Sequence, residues 1–252
     1  MVYLCTLLFC IYFMNQMSNS TEIPSFSKNI HTSYYRSEWF INQFARITQF
    51  CTWPIVFIVL YAIFRVRIEG KESFKTIQSP FIIVSNHISF YDSFIFRLIL
   101  GFFTSHLPLR FMAVKKFNSP IMNTLSNLGF IDLVYALFGV FTVVPKKGID
   151  ENLKKPIHII QCGGNVVVYP EGSITYTDTV GPFRNGAALL AQKTGAPILP
   201  VSFRYGKQRL FRRAIFVNVG KAHTISKDIP CIEATQTLLN EVNNLFNSGS
   251  SR

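Results

Sequence analysis

PFIIVSNHISFYD, residues 80–92, decides the fold. Its first six residues form a short apolar run that reads as a β-strand, and Ser89 followed three positions later by Asp92 reads as a helix start. The turn between them carries Asn86 and His87. A histidine delivered at the carboxyl end of a strand stands where open α/β sheets meet their ligands. Asp92, opening the next helix, is placed to point back at that imidazole.

Outward from this unit the same alternation continues. Strands are predicted at residues 110–114, 141–144, 165–169, 198–203 and 214–219, and helices at 92–100, 119–128, 152–161, 186–193 and 232–246. The last helix repeats apolar residues at Leu238, Leu239, Val242, Leu245 and Phe246, a core-facing stripe. Strand and helix in turn predict an α/β domain over residues 66–252, with a mostly parallel central sheet flanked by helices.

Residues 1–65 have another character. Two uncharged apolar runs, 2–14 (VYLCTLLFCIYFM) and 50–64 (FCTWPIVFIVLYAIF), flank a polar connector that contains one amphipathic helix at 37–49 with Trp39, Phe40, Phe44 and Ile47. As helices the runs reach roughly 20 and 23 Å, short of the roughly 30 Å hydrocarbon layer. Arg65, Arg67, Lys71 and Lys75 follow the second run. Such a basic flank predicts an N-terminal apolar helical membrane anchor with the α/β domain on the cytoplasmic side. A buried helical subdomain is the alternative.

Composition agrees with a lipid-facing protein. The 252 residues carry 25 Lys and Arg against 13 Asp and Glu, a net charge of +12, in a chain that is 49% hydrophobic and holds 25 Phe. Disorder is excluded by that apolar content. A nucleic-acid binder normally spreads its positive charge over a charge-rich surface, so the expected partner is a phospholipid membrane and not a nucleic acid. Cys5, Cys10, Cys51, Cys162 and Cys231 form no CxxC pair and no metal-ligand spacing with histidine, so no metal site is expected and the cysteines read as packing residues.

Three groups of residues carry chemistry. A carboxylate on one nitrogen of His87 would set its tautomer and raise the basicity of the other nitrogen, the arrangement of a general base; the bland reading is a helix cap beside a surface histidine. The strand at 165–169 runs into Pro170, Glu171, Gly172 and Ser173, a turn with a carboxylate, a glycine and a hydroxyl that suits a polyol, with backbone N–H groups for a phosphate. Gly181 to Gly186 (GPFRNG) brings Arg184 to the start of another helix. Lys115 and Lys116 follow a strand end, and the basic residues from Arg204 to Lys221 suit a solvated face or an anionic surface.

In this order these blocks resemble the glycerolipid acyltransferase family, with its histidine and aspartate separated by four residues (NHISFYD), its Pro-Glu-Gly-Thr block (YPEGS, 169–173), its Phe-Lys-x-Gly continuation (FRNG, 183–186) and its proline-containing last block (APILPV, 196–201). The resemblance covers roughly residues 66–220. It implies transfer of a fatty acyl group from an acyl-CoA or acyl carrier protein thioester to a hydroxyl of a 1-acylglycerol 3-phosphate-like acceptor in phospholipid synthesis. Glycerol 3-phosphate or a different lyso-phospholipid is the alternative acceptor. It implies His87 as general base and Asp92 as its orienting partner, with Asn86, Lys146, Lys147, Glu171, Gly172, Ser173 and Arg184 around the substrates, and neither cofactor nor metal. Ser173 and Ile174 stand where the family has Thr and Arg. The family's other arginine falls at Lys146 or Lys147, or, if GFID at 129–132 is the matching block, at Leu133. A lipid hydrolase would need an activated nucleophile, and no GxSxG elbow is present. A silent lipid-binding protein would not need an oriented base.

Overall fold

Strand β2 (Ile82–Ser85) has all four residues fully buried, as a central strand covered on both faces must. The chain is described from a computed structural model that covers residues 32–102, 104–114, 120–144, 148–177, 179–209 and 212–248. The apolar run at 2–14 therefore lies outside the described residues. Helices α1 (Thr32–Cys51) and α2 (Trp53–Ile63) precede β1 (Phe64–Glu69), α3 (Ser73–Thr76) and β2. Then come α4 (Asp92–Leu100), β3 (Leu109–Val114), α5 (Pro120–Asn127), α6 (Phe130–Leu137), β4 (Val140–Val143), α7 (Ile149–Gln161) and β5 (Asn165–Val168). Helix α8 (Gly186–Thr194), β6 (Ile198–Arg209), β7 (Arg212–Val219) and α9 (Cys231–Ser248) complete it.

The strands form one sheet in the order β1-β7-β6-β2-β5-β3-β4. Every pairing is parallel except the antiparallel β6–β7 pair, so the expected mostly parallel α/β sheet is present. Two-residue periodicity sorts its side chains into two cores. Ile83, Val167 and Leu199 pack with Phe81, Phe96 and Phe203 on one side, and Ile82, Val84, Val166 and Ile198 pack with Leu190 and Leu238 on the other. Strand β1 and helix α6 were not expected. FRVRIE alternates apolar and charged residues as an edge strand does, but Phe64 also closes the apolar run at 50–64, which hides the start of the strand.

The helices before β1 depart most from expectation. Contacts divide the chain after Tyr35, so residues 36–252 form one compact unit. Among the described residues no single helix is long and apolar enough to cross a membrane; only the pair Glu38–Cys51 and Trp53–Ile63, bent by 50°, reaches that length and composition together. Pro54 accounts for the bend, since it has no N–H to offer the preceding turn.

Helix α1 is docked by its polar side. Glu38, Asn42 and Gln49 are buried, while Phe40 and Phe44 are 50% and 58% exposed. Gln49 Nε2 donates to Leu109 O and Phe138 O at 2.8 and 2.9 Å, and its Oε1 accepts from Leu109 N at 3.0 Å. Arg110, almost fully buried, donates to Asn42 and pairs with Glu38, which also takes Lys155. This buried network holds the helix against the start of β3 only because its members are matched.

Removing one member should show this. Gln49→Leu leaves three buried backbone groups unpaired and is expected to lower stability by about 2–4 kcal/mol in urea unfolding. A change below about 0.5 kcal/mol would mean that this clamp contributes nothing.

Candidate active site

The register of β2 against β5 builds the site. Ile82 lies opposite Val166 and Val84 opposite Val168. Carried past the strand ends, the same offset brings His87 beside Glu171. His87 N donates to Glu171 Oε1 at 3.1 Å, Thr175 Oγ1 donates to Oε2 at 2.5 Å, and Thr175 N donates to His87 O at 2.8 Å. Two turns that are 84 residues apart are thus tied together by one buried carboxylate.

Asp92 is fully buried, so each of its oxygens has to be satisfied by the protein. Its Oδ2 accepts from Ile88 N and Ser89 N, both at 2.8 Å, and meets His87 Nδ1 at 3.0 Å. Its Oδ1 accepts from Tyr205 OH at 2.6 Å. An oxygen that already accepts two backbone N–H groups favours the tautomer with the proton on Nδ1. That leaves Nε2 as the basic nitrogen, with no hydrogen-bond partner among the described residues.

The imidazole is also held on its face. Tyr169 stacks on it with centroids 3.9 Å apart and planes at 13°, and its hydroxyl meets Ser93 Oγ at 3.1 Å. Burial first, and the Asp92 charge second, keep both the Tyr169 and the Tyr205 phenols protonated far above the usual tyrosine range. Tyr205 therefore stays a donor to Asp92.

His87, with 17% of its side chain exposed, lines a cavity of about 840 Å³. The walls of this cavity are mostly apolar, with Val56, Phe94, Phe111, Val134 and Phe138 among them. Gly172, Ser173 and Arg184 line it too. Gly172 has φ +78°, and a Cβ there would stand 2.9 Å from Arg184 Cζ, so glycine lets the guanidinium lie across this turn. This geometry suits proton abstraction by Nε2 from a hydroxyl held in an apolar chamber with a cation at its rim. Among the described residues no group of His, Cys, Asp and Glu is arranged to hold a metal ion.

Two residues expected around the substrates lie away from the cavity wall. Asn86 is fully buried and lies outside the cavity wall; its Nδ2 donates to Phe203 O and its Oδ1 accepts from Phe203 N, which extends the β2–β6 pairing through a side chain. The Glu171 carboxylate faces His87 N and Thr175 and joins the turns instead of lining the cavity. Lys146 and Lys147 lie outside the described residues, although the adjacent Gly148 lines the cavity. Tyr205 and the stacking role of Tyr169 were not foreseen. Tyr169 stood in a recognised block, whereas no local signal links Tyr205 to an aspartate 113 residues away.

Known proteins resemble this chain. The model of the family described as Acyltransferase matches residues 65–204, more than half of the chain. A chloroplastic 1-acyl-sn-glycerol-3-phosphate acyltransferase of Brassica napus is 28% identical over 150 residues, 58% of this chain and 39% of that protein. A 1-acyl-sn-glycerol-3-phosphate acyltransferase of Pseudomonas aeruginosa is 24% identical over 164 residues, 64% of this chain and 58% of that one. This chain thus spans about two fifths of the Brassica protein and under two thirds of the bacterial one. The crystal structure of the 1-acyl-sn-glycerophosphate acyltransferase PlsC of Thermotoga maritima has the same fold, with a TM-score of 0.53 at 19% identity over 100% of this chain and 94% of that one.

The buried hydroxyl of Tyr205 offers a direct check on the site's construction. Tyr205→Phe leaves Asp92 Oδ1 without its donor and is expected to cost about 1–3 kcal/mol in chemical denaturation. An unchanged midpoint would mean that Asp92 does not depend on it.

Proposed function

This chain belongs to the acyltransferase family, and from that premise we propose that it transfers a fatty acyl group from a thioester donor to the free hydroxyl of a 1-acylglycerol 3-phosphate-like acceptor. The observation that carries the reading is the contact of His87 Nδ1 with the buried Asp92 carboxylate at 3.0 Å, on an imidazole that opens into an apolar cavity. Nε2 takes the acceptor's hydroxyl proton as the oxygen attacks the thioester carbonyl. The tetrahedral oxyanion collapses, the carbon–sulfur bond breaks, and the imidazolium returns its proton to the leaving thiolate. Because the thioester is already activated, positioning and one base suffice.

The parts of the cavity suit different parts of the substrates. Its apolar wall suits the acyl chain. Arg184, exposed at the rim, suits the anionic part of coenzyme A or of a carrier protein's prosthetic group, which has to extend into solvent. Neither cofactor nor metal enters this scheme.

Membrane attachment is part of the same reading. Helix α2 exposes Ile55, Ile58 and Tyr61 by 60–66%, α1 turns Phe40 and Phe44 outward, and Arg65, Arg67 and Arg213 stand exposed on the adjoining strands. Apolar faces beside cations suit the cytoplasmic surface of an anionic bilayer, with residues 1–65 as the attaching region.

Two experiments test these statements. His87→Ala is expected to lower kcat by about 10²–10⁴-fold with an unchanged circular dichroism spectrum, and Asp92→Asn to lower kcat far more than it raises KM. Full activity in His87→Ala would remove the mechanism. Ile55→Asp with Ile58→Asp should weaken sedimentation with anionic vesicles about tenfold or more, since each change replaces an exposed apolar side chain, available to enter the bilayer, by a charge; equal sedimentation would place the attaching surface elsewhere.

A further inference from the structure

Arg97 is a charge with too few partners. It stands on α4 one turn beyond Ser93, is 6% exposed, and lines the same cavity as His87. Its Nε donates to Gln49 O at 3.0 Å, at the break between α1 and α2, and its Nη1 donates to Gly101 O at the end of α4. The buried Nη2 has no acceptor among the described residues. Nor has the buried Nε1 of Trp53, whose ring centroid lies 5.9 Å from Arg97 Cζ.

Two carbonyl caps hold the guanidinium in place but do not balance its charge. No carboxylate among the described residues pairs with it. Burial lowers its pKa to about 10, which still leaves it a cation at neutral pH. A buried cation without a counter-charge is costly, and a structural cap alone would be served by a neutral donor.

We propose that Arg97 binds the phosphate of the acceptor lipid through its unpaired Nη2. The inference rests on the acyltransfer reading for the identity of that lipid. Arginine matches phosphate in shape and charge, and the proposed acceptor carries a phosphate a few bonds from its reacting hydroxyl. Arg97 lies five residues along α4 from Asp92, roughly 7.5 Å of helix axis, a separation of the size that a glycerol phosphate spans. The same cavity wall includes Thr52 and Val56, at the start of α2. Arg97 thus stands beside the start of the helix whose apolar side faces outward, the side proposed to meet the membrane. Arg184 leaves the donor's phosphates at the solvent rim.

The chain has two tryptophans, so Trp39→Phe makes Trp53 a reporter beside Arg97. The full chain with Trp39→Phe and His87→Ala is titrated in neutral detergent with a lysophosphatidic acid, with the monoacylglycerol of the same chain, with inorganic phosphate and with an acyl-CoA. The expected result is a saturable change in Trp53 emission with lysophosphatidic acid at concentrations at least tenfold below those of the other ligands. In turnover assays Arg97→Gln should raise the acceptor KM at least tenfold and move the donor KM less than twofold, with Arg97→Lys intermediate. An equal response to monoacylglycerol, inorganic phosphate binding as tightly as the lipid, or a donor KM that rises in place of the acceptor's would each overturn the proposal. If Arg97→Gln does not fold, the titration and the Lys variant still decide. A selective Trp53 response without any acyl transfer would retain the phosphate site and reject the acyltransfer reading; transfer without that response would do the reverse.

Discussion

The buried carboxylate of Asp92 is the constraint on which the site depends. A carboxylate removed from water is tolerated only inside a shell of donors, and here the shell is drawn from the turn after β2 and from β6. Two backbone N–H groups and one phenol would suffice to hold it. The imidazole of His87 completes the set, and its orientation follows from the need to satisfy the acid. Tyr169 then removes the remaining rotational freedom by stacking on the ring. In the proposed reaction an imidazole held in this way requires little reorganisation when the proton moves.

A second constraint works on the scale of the whole domain. Helix α1 turns Glu38, Asn42 and Gln49 inward, because the start of β3 offers backbone groups and a buried arginine that only polar side chains can satisfy. Phe40 and Phe44 are left on the outside. The usual order of an amphipathic helix is reversed, and that reversal suits an apolar medium beyond it. The bend at Pro54 frees carbonyl groups at the helix break, and Arg97 caps one of them from inside the cavity. The outward apolar face of α2 and the cavity thus share a wall.

Much of this was legible in the chain. The central strands could be read because four-residue apolar runs bounded by turns leave few alternatives, and the two cores confirm their alternation. Strand β1 was hidden since Phe64 ends an apolar helix and begins an alternating strand at once. Among the site residues, His87, Asp92, Gly172, Ser173 and Arg184 are brought together as the motifs suggested. Asn86 and Glu171 stand in the same motifs but serve the scaffold: one extends a strand pairing, and the other joins two turns. Motif position alone does not distinguish a residue that lines the cavity from one that holds its neighbour.

Local pattern sets the alternation of strands and helices, the carboxyl-end location of the histidine and the spacing that lets Asp92 turn back to it. These are short-range matters, set by periodicity and by the few residues of one turn. That Tyr205 braces the aspartate, that α1 docks by its polar side, and that Arg97 is buried beside the cavity with no carboxylate paired to it among the described residues are matters of long-range packing. Each of these depends on the register between strands and on which helix covers which sheet face. Hydrogen-bond partners 60 to 113 residues apart are chosen by geometry that no local window contains.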